Sequence, residues 1–303
     1  MAKTLISVVG PTAIGKTKLA IELAKQYNTE IISADSRQFF QEMEIGTAVP
    51  TKEELEAVKH HFIQHKSIHD PYSVGDFERD AMQLLSELFK KYDVVIMVGG
   101  SGLYVDAITK GLDNFPQVGS EIRENLNNIL ENDGIQTLQE QLKSLDIEYY
   151  NKVDIHNPHR LIRALEICIG TGKPYSSFLN LEKNKRPFKM ISIGIDAERE
   201  IIYNRINQRV DLMIENGLIE EAKVLIKHKA LNALQTVSYK ELFNYFDGIW
   251  DLDFAISEIK KNTRRFAKRQ LTWFRKTKSI IWVDYKDDVS LIIKKIEDSK
   301  NEK

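Results

Sequence analysis

The chain alternates short, continuous apolar runs with longer segments in which apolar residues recur every three or four positions. The apolar runs are Thr4–Val9, 30–34 and 93–98, and they are rich in Ile and Val. Such runs are typical of strands buried on both faces. The segments between them, 16–27 and Val74–Lys91, have helical spacing. Strands that alternate with helices predict a parallel α/β sheet with right-handed crossovers.

The pattern changes in the middle of the chain. Residues 114–186 keep the helical periodicity but contain no convincing strand, and the flanking stretches "NFPQVGS" and "NLEKNKRPF" have the composition of linkers. Strand patterns return at Lys189–Asp196 and at 279–285, with helical segments between them. We therefore predict an α/β core formed by residues 1–113 and 187–303, with an all-helical insertion at 114–186.

Composition restricts the class of protein more than its total charge does. The 303 residues are 42% hydrophobic and 29% charged, as in globular proteins, and 43 basic against 44 acidic residues leave a net charge of −1. The single cysteine, Cys168, excludes an intrachain disulfide and a cysteine-based zinc finger. Since no apolar run reaches the roughly 18 residues of a membrane helix, we expect a cytoplasmic protein without membrane contact.

A phosphate-binding motif follows the first strand. "GPTAIGKT" matches G-x-x-x-x-G-K-[ST], and a buried strand precedes it while a helix follows, as the motif requires. Backbone amides and the helix N-terminus bind an anion, Lys16 adds a charge, and the Thr17 hydroxyl is a ligand suited to Mg²⁺. The predicted phosphate-binding residues are Gly10, Pro11, Thr12, Ala13, Ile14, Gly15, Lys16 and Thr17.

The motif alone does not indicate nucleotide hydrolysis. The strand at 93–98 runs into glycines instead of an aspartate, and no D-x-x-G sequence is present. "NKVD" at 151–154 is similar to a guanine-reading motif, but it lies in the helical insertion and not after a buried strand. A small-molecule kinase, a nucleotide-switched RNA-binding module and a group-transfer enzyme all remain as candidates.

Asp35 follows the second strand, in "ISADSRQFF". In open α/β sheets the ligand crevice lies at the carboxyl ends of the strands. We therefore expect Asp35, the phosphate-binding loop and Ser101 to face one cleft.

A basic segment lies near the end of the chain. Residues 259–278 contain nine Lys or Arg and no Asp or Glu, so that a polyanion has a local site despite the neutral total. Phe266, Trp273 and Phe274 interleave with the charges, a combination that suits phosphates and unpaired bases. The polar residues that recur at three- and four-residue steps are Lys261, Arg264, Arg265, Lys268, Thr272 and Arg275.

Several motifs together carry a family resemblance. "GPTAIGKT", "ISADSRQFF…MEIGTAVP", "VGGSGLY", "NPHRLIRALEI…TGKP", "QTVSYKEL" and "TRRFAKRQLTWFR" occur in the order seen in tRNA dimethylallyltransferases, also called tRNA isopentenyltransferases. The chain resembles the bacterial type of this family over nearly its whole length. The resemblance implies a P-loop α/β core and transfer of a dimethylallyl group from dimethylallyl diphosphate to the N6 amine of adenosine 37, 3′ of the tRNA anticodon, with release of diphosphate.

The resemblance also implies roles for individual residues. Asp35 matches the general base, Thr17 with Mg²⁺ and Arg209 match the groups that stabilise the leaving diphosphate, and Ser101 stands where the family often has Thr. The partners implied are the tRNA anticodon stem-loop and dimethylallyl diphosphate, and we expect a monomer with the helical insertion acting as an RNA clamp. The implied tRNA-binding residues are Asp35, Ser36, Arg37, Gln38, Ser101, Arg123, His159, Arg160, Leu161, Ile162, Arg163, Gln235, Tyr239, Lys240, Lys268, Arg269, Gln270, Trp273 and Arg275.

Two residues depart from the family pattern. Ser238 replaces a usual Gly in "VSYKE", and a serine is a poor fit if the position needs a positive φ. Phe40 replaces a common Tyr and lacks its hydroxyl.

A nearer alternative to a tRNA-modifying enzyme is an enzyme that prenylates free adenine nucleotides. Such an enzyme has no need of the insertion and the basic helix.

Four histidines lie close together in the sequence, at positions 60, 61, 65 and 69. No acidic or cysteine ligand set accompanies them, so we expect structural or surface roles for them and no metal site.

Overall fold

A computed structural model describes residues 3–179 and 185–301 of the chain. Its described strands are β1 (Thr4–Val9), β2 (Ile31–Ser33), β3 (His60–His61), β4 (Val94–Val98), β5 (Lys189–Asp196) and β6 (Ile280–Asp284).

The described α-helices are α1 (Lys16–Gln26), α2 (Lys52–Ala57), α3 (Val74–Lys91), α4 (Gly102–Thr109), α5 (Ser120–Asn132), α6 (Ile135–Leu145), α7 (Ile147–Tyr150), α8 (Pro158–Thr171), α9 (Arg199–Glu215), α10 (Leu218–Leu225), α11 (Tyr239–Phe246), α12 (Leu252–Phe274) and α13 (Val289–Asn301). Short 3₁₀ turns occupy Tyr175–Phe178, Ile226–His228 and Asn232–Leu234.

The strands form one sheet in the order β3-β2-β4-β1-β5-β6, and every pair in it is parallel. β1 lies inside the sheet, where Ile6 pairs with Ile96 of β4 and with Ile191 of β5. Because side chains alternate across a strand, Ile6 packs with α1 on one face while Leu5 packs with α3 on the other. The phosphate-binding loop thus follows an interior strand that is paired on both sides.

The chain divides into two compact units. The first comprises Met1–Lys110 and Arg186–Lys303, and the second comprises Gly111–Lys185. In its described residues the second unit is helical and has its own apolar core, which includes Leu126, Leu138 and Leu165. Part of the predicted linker "NLEKNKRPF" lies outside the described residues.

The periodicity predicted most of the core elements. Strands β1 and β5 and helix α3 have the predicted bounds, and the strands predicted at 30–34, 93–98 and 279–285 are shorter by one residue at one or both ends. Strand β3 was not predicted, because a two-residue edge strand is too short to produce a pattern.

Candidate active site

The phosphate-binding loop runs from the end of β1 to the start of α1. Gly10 has φ +145°, and a Cβ at this position would lie 2.6 Å from the backbone oxygen of Ile195. Only glycine therefore fits where the loop passes β5. Gly15, with φ +107°, caps α1 and leaves the helix N-terminus open to an anion. The ammonium of Lys16 donates across the loop to the backbone oxygen of Pro11 at 2.7 Å. The loop therefore has the cradle geometry that its motif predicts.

Two cations and one carboxylate surround this cradle. Burial lowers the pKa of Lys16 from 10.5 to about 8; nearby Asp35 opposes this shift and Arg209 adds to it. Burial also lowers the pKa of Arg209, which Asp35 and Glu54 oppose. The guanidinium Nη1 of Arg209 lies 3.4 Å from the Thr12 hydroxyl and donates to it. Arg209, which looked like an ordinary helix charge in the sequence, is thus aimed at the phosphate loop.

A first cavity of about 420 Å³ lies over the loop. Its polar lining includes Lys16, Thr17 and Asp35, and its apolar lining includes Ile63 and Leu212. A volume of this size accommodates a small molecule. The lining thus combines groups that suit an anion with groups that suit a hydrocarbon.

Asp35 and Ser101 follow two neighbouring strands, β2 and β4. The Asp35 carboxylate accepts the backbone N–H of Arg37 at 3.1 Å. The Ser101 hydroxyl accepts the backbone N–H of Ser36 at 3.1 Å, and the two serine hydroxyls are also 3.1 Å apart. The carboxyl ends of the strands therefore bring Asp35, Ser101 and the phosphate loop to one edge of the sheet, as the sequence predicted.

A second cavity of about 840 Å³ opens beside the first. Ser101, Phe266, Arg269 and Trp273 contribute to its lining. The residues that line both cavities are Thr12, Asp35, Thr47, Ala48 and Arg209. Asp35 therefore stands where the phosphate-loop cavity meets a larger cavity with aromatic and basic walls.

Gln270 of α12 joins the two sides of this junction. Its side-chain oxygen accepts the backbone N–H of Thr12 at 2.8 Å, and its nitrogen donates to the backbone oxygen of Gly100 at 3.0 Å. The side chain is buried, so these bonds are shielded from water. Although Gln270 lines the second cavity, its amide is engaged with the protein, and its role as a tether was not predicted from the sequence.

The basic face predicted for α12 is divided in the structure. Arg264 donates to the Asn207 side chain at 2.7 Å on α9, and Arg275 pairs with Asp196 at 2.6 Å. Lys261 is paired with Glu258. Acidic neighbours thus neutralise Lys261 and Arg275, while a neutral amide engages Arg264. The basic side chains of this stretch that are exposed and have no such pairing among the described contacts include Lys268 and Arg269.

Besides Gln270, three predicted RNA contacts have buried side chains, and for these the prediction of direct side-chain contact is corrected. Leu161 and Ile162 are 0% and 4% exposed in the core of the second unit, because the predicted contiguous segment crosses the apolar face of α8. Tyr239 is fully buried in a core cluster, and its hydroxyl donates to Glu221 at 2.6 Å. A continuous segment of an amphipathic helix contains both residues that face the core and residues that face solvent.

The remaining predicted contacts of the second unit are more accessible. His159 and Arg160 are exposed in the first turn of α8, which Asn157 caps. Arg123 and Arg163 both bond to Glu166, at 2.7 and 3.0 Å. Burial opposes ionisation of Glu166, but the two guanidinium groups outweigh it and lower the pKa of this carboxyl.

Most predicted contacts of the first unit line one or both of the two cavities, and Tyr239, Lys268 and Arg275 line neither. Those that line the second cavity besides Asp35 and Ser101 are Ser36, Arg37, Gln235, Lys240, Arg269, Gln270 and Trp273. Gln38 lines the first cavity instead. Arg37 is held by the backbone oxygens of Asn232 and Ala233 at 2.9 and 3.0 Å. It thereby fixes the segment that leads into the wall of the second cavity.

The two departures from the family pattern have different consequences. Ser238 has φ +82°, so this position does take the conformation that favours glycine, and the serine is strained there. Its backbone N–H donates to the Glu241 carboxylate at 2.9 Å. Phe40 is buried in an apolar cluster with Met43 and Ile68, where the ring packs without a hydroxyl.

The histidines serve separate contacts. His61 bonds to Glu30 at 2.5 Å, and His60 bonds to the backbone oxygen of Val58 at 2.8 Å. His65 packs against aromatic rings, and burial lowers its pKa to about 4. His69 packs against His228. In the described part of the chain no cluster of His, Cys, Asp and Glu has the arrangement of a metal site.

Comparison with known proteins places this site in a family. Residues 38–277 match the family described as IPP transferase. A tRNA dimethylallyltransferase of Christiangramia forsetii is 65% identical over 301 residues, which cover 99% of this chain and all of that protein. The enzyme of the same name from Flavobacterium psychrophilum is 59% identical over 298 residues, covering 96% of this chain and 97% of that protein.

Solved structures agree with the sequence relatives. The full-length tRNA isopentenylpyrophosphate transferase of Bacillus halodurans matches with a TM-score of 0.71 and 38% identity, over 98% of this chain and 95% of that one. A eukaryotic dimethylallyltransferase acting on tRNA matches with a TM-score of 0.81 and 25% identity, over 99% of this chain and 78% of that one.

The fold and the site define a P-loop α/β transferase. Within that class the chain belongs to the IPP transferase family, the tRNA dimethylallyltransferases. The predicted family, fold class and enzyme class are thus confirmed. Among the described residues, no helix is both long and apolar enough to cross a membrane.

Proposed function

We propose that this protein transfers the dimethylallyl group of dimethylallyl diphosphate to the N6 amine of adenosine 37 in tRNA and releases diphosphate. One observation carries the proposal: Asp35, Thr12 and Arg209 line both the phosphate-loop cavity and the larger cavity beside it. A donor in the first cavity and a purine in the second would meet at the Asp35 carboxylate.

The phosphate side of the first cavity suits a leaving diphosphate. As the allylic carbon–oxygen bond breaks, negative charge grows on the diphosphate, and fixed donors aimed at it stabilise the transition state. Lys16, Arg209 and the loop amides are such donors. Thr17, which lines this cavity, would hold Mg²⁺ through its hydroxyl together with oxygens of a bound diphosphate, and the ion would supply further positive charge there.

The chemistry at the acceptor requires removal of one proton. The N6 nitrogen forms a bond to the allylic carbon while the electron pair of the breaking bond departs with the diphosphate. The N6 proton passes to the Asp35 carboxylate, the general base of the proposal. Because an exocyclic adenine amine is a weak nucleophile, holding it in line with the allylic carbon contributes much of the rate.

The second cavity and the second unit suit RNA. An adenine reaches a recessed cleft only after it leaves its stack, and aromatic side chains such as Phe266 and Trp273 offer surfaces for neighbouring bases. We propose that the helical unit contacts the stem of the anticodon arm through exposed residues such as His159 and Arg160. We further propose a monomeric, cytoplasmic enzyme; the free Cys168, which is buried, is consistent with a reducing compartment.

Incubation with dimethylallyl diphosphate, Mg²⁺ and an unmodified anticodon stem-loop tests the proposal. Prenylated adenosine should appear in the nucleoside digest, measured by mass spectrometry. Asp35→Ala should slow transfer roughly 10²–10⁴-fold, since it removes the base, while binding of a non-reactive donor analogue stays within about threefold of the unaltered protein. The control variant is Asp298→Ala, at an exposed position of α13.

Two outcomes would contradict these assignments. A reaction with ATP that yields a phosphorylated small molecule, and no prenylated adenosine, would favour a kinase. Loss of donor binding in Asp35→Ala would instead remove Asp35 from the role of base.

A further inference from the structure

The loop at residues 44–48 is folded around a carboxylate from another helix. Oε2 of Glu221, on α10, accepts the backbone N–H groups of Glu44 and Ile45 at 3.0 and 2.8 Å, and Oε1 accepts that of Gly46 at 2.9 Å. Three successive amides that converge on an anion form a backbone nest. Here the protein supplies the anion itself, and charged acceptors make such hydrogen bonds stronger than neutral ones.

Tyr239 completes this arrangement. Its hydroxyl donates to Oε1 of Glu221 at 2.6 Å, and its ring lies so close to Gly46 that a Cβ there would be 2.5 Å from Cζ. Burial, together with the charge of Glu221, raises the pKa of Tyr239, so its hydroxyl remains a hydrogen-bond donor. The tyrosine therefore fixes both the carboxylate and the loop that the carboxylate holds.

Residues of the same loop also line the two cavities. Thr47 and Ala48 line both cavities, where Asp35 and Arg209 also lie. Gln38 donates to the backbone oxygens of Thr47 and Ala48 at 3.3 and 2.9 Å. The wall of the junction is thus held by Gln38 at Thr47 and Ala48 and by Glu221 with Tyr239 at residues 44–46.

We infer that Glu221 and Tyr239 are positioning residues for prenyl transfer, which act by fixing loop 44–48 as the wall of the junction between the two cavities. This inference rests on the proposed function. A shift of the wall by about an ångström would change the approach of the amine to the allylic carbon, and such misplacements cost up to about 10²-fold in rate. Binding at the far ends of the two cavities would change much less.

Two variants separate positioning from packing. Glu221→Gln keeps the size of the side chain but leaves one acceptor oxygen for three N–H groups. Tyr239→Phe keeps the ring against Gly46 and removes the hydroxyl alone. Glu220→Gln, at an exposed position on the same helix, is the matched control. We expect single-turnover transfer to slow about 30–100-fold in Glu221→Gln and about 3–10-fold in Tyr239→Phe.

The measurements are single-turnover transfer with both substrates saturating, the Kd of each substrate and the thermal midpoint. The Kd of the stem-loop should stay within about twofold in every variant. Unchanged transfer in a destabilised Glu221→Gln would show a merely structural role and overturn the inference; so would a rate loss matched by an equal loss of RNA affinity. If Glu221→Gln does not fold, full-rate transfer by Tyr239→Phe overturns it.

The control separates this inference from the proposed function. If the unaltered protein and Glu220→Gln prenylate the stem-loop, the two variants test positioning alone. If neither prenylates it, the proposed function fails and the inference fails with it.

Discussion

Lys16 combines two features that oppose each other, since it is partly buried beside Arg209 and must still carry a charge to hold a phosphate. Its pKa of about 8 means that the ammonium is lost as the pH rises through the upper physiological range. The unfolded chain keeps this proton up to about 10.5. As the pH rises between these two pKa values, loss of the proton from the folded protein should weaken donor binding but stabilise the donor-free protein.

Donor binding should weaken as the pH rises. Between pH 7 and pH 9 the charged fraction of Lys16 falls roughly tenfold, so the Kd of a non-reactive dimethylallyl diphosphate analogue should rise about tenfold. Lys16→Met should bind weakly with little pH dependence over this interval. Lys25→Met, at an exposed position of the same helix, should retain the pH dependence.

The donor-free protein should show the reverse trend in stability. Between pH 8 and 10.5 the unfolded state binds more protons at this residue than the folded state, so this residue makes the free energy of unfolding rise with pH. Denaturant titrations of the unaltered protein and Lys16→Met would isolate this contribution. Equal pH dependence in both proteins, for binding and for stability, would contradict the assignment of the titration to Lys16.

The positions of individual residues in the site were predictable where a motif fixes the backbone around them. The phosphate loop has this property, since its spacing determines where Gly10, Gly15 and Lys16 lie. Tyr239 did not have it, because it lies in a segment assigned to RNA contact while its side chain points into the core. The sequence predicted strain at Ser238 only if this position needs a positive φ, and in the structure its φ is positive.

At the scale of elements, α12 connects the two cavities. Phe266, Arg269 and Trp273 line the second cavity, and Gln270 on the same helix holds the phosphate loop through Thr12. The helix that presents a surface to the acceptor therefore also sets the shape of the donor site. No single residue of α12 reveals this connection, because it depends on which faces of the helix meet the second cavity and the phosphate loop.

Replacing Gln270 by leucine should damage the donor site more than the rest of the fold. The change keeps a similar size but leaves the Thr12 N–H and the Gly100 oxygen without their side-chain partner, at a cost of roughly 1–3 kcal/mol for each group left unsatisfied. We expect the Kd of the donor analogue to rise about tenfold, measured by calorimetry, and the thermal midpoint to fall.

Gln83→Leu on α3 is the control, because this glutamine is exposed. It should leave donor affinity unchanged. A Gln270→Leu protein that binds the donor normally but melts earlier would show that the tether serves stability alone.

The periodicity of a helix indicates its faces but not what they meet. The three- and four-residue spacing of α12 predicted a basic stripe, and the helix exists as predicted. Arg264 nevertheless turns toward Asn207 and Arg275 pairs with Asp196, both distant in the sequence. Contacts across such separations are set by the packing of whole elements, which local pattern does not encode.

At the scale of the whole molecule, the crevice rule for parallel sheets located the site before its details were known. It placed Asp35, Ser101 and the phosphate loop at one edge, which the sheet order confirms. The shared wall of the two cavities was beyond reach of the sequence. Loop 44–48 has no regular pattern, and its shape depends on Glu221, far along the chain.

The helical insertion should be separable from the catalytic core. Arg186, at its far end, donates to the backbone oxygen of Ala107, which lies just before its near end, so the core brings the two attachment points together. The second unit has its own apolar core. Replacing residues 111–185 by a short Gly/Ser linker should therefore leave the core folded, with donor affinity within about threefold of the full chain.

RNA affinity should respond differently to this deletion. Loss of the phosphate contacts proposed for the second unit should weaken stem-loop binding at least roughly tenfold and flatten its dependence on salt concentration. Fluorescence titrations at two salt concentrations measure both effects, and circular dichroism checks that the core has folded. A folded deletion protein that binds the stem-loop as tightly as the full chain would show that the insertion is no RNA clamp. The α12 face and the second cavity would then account for recognition alone.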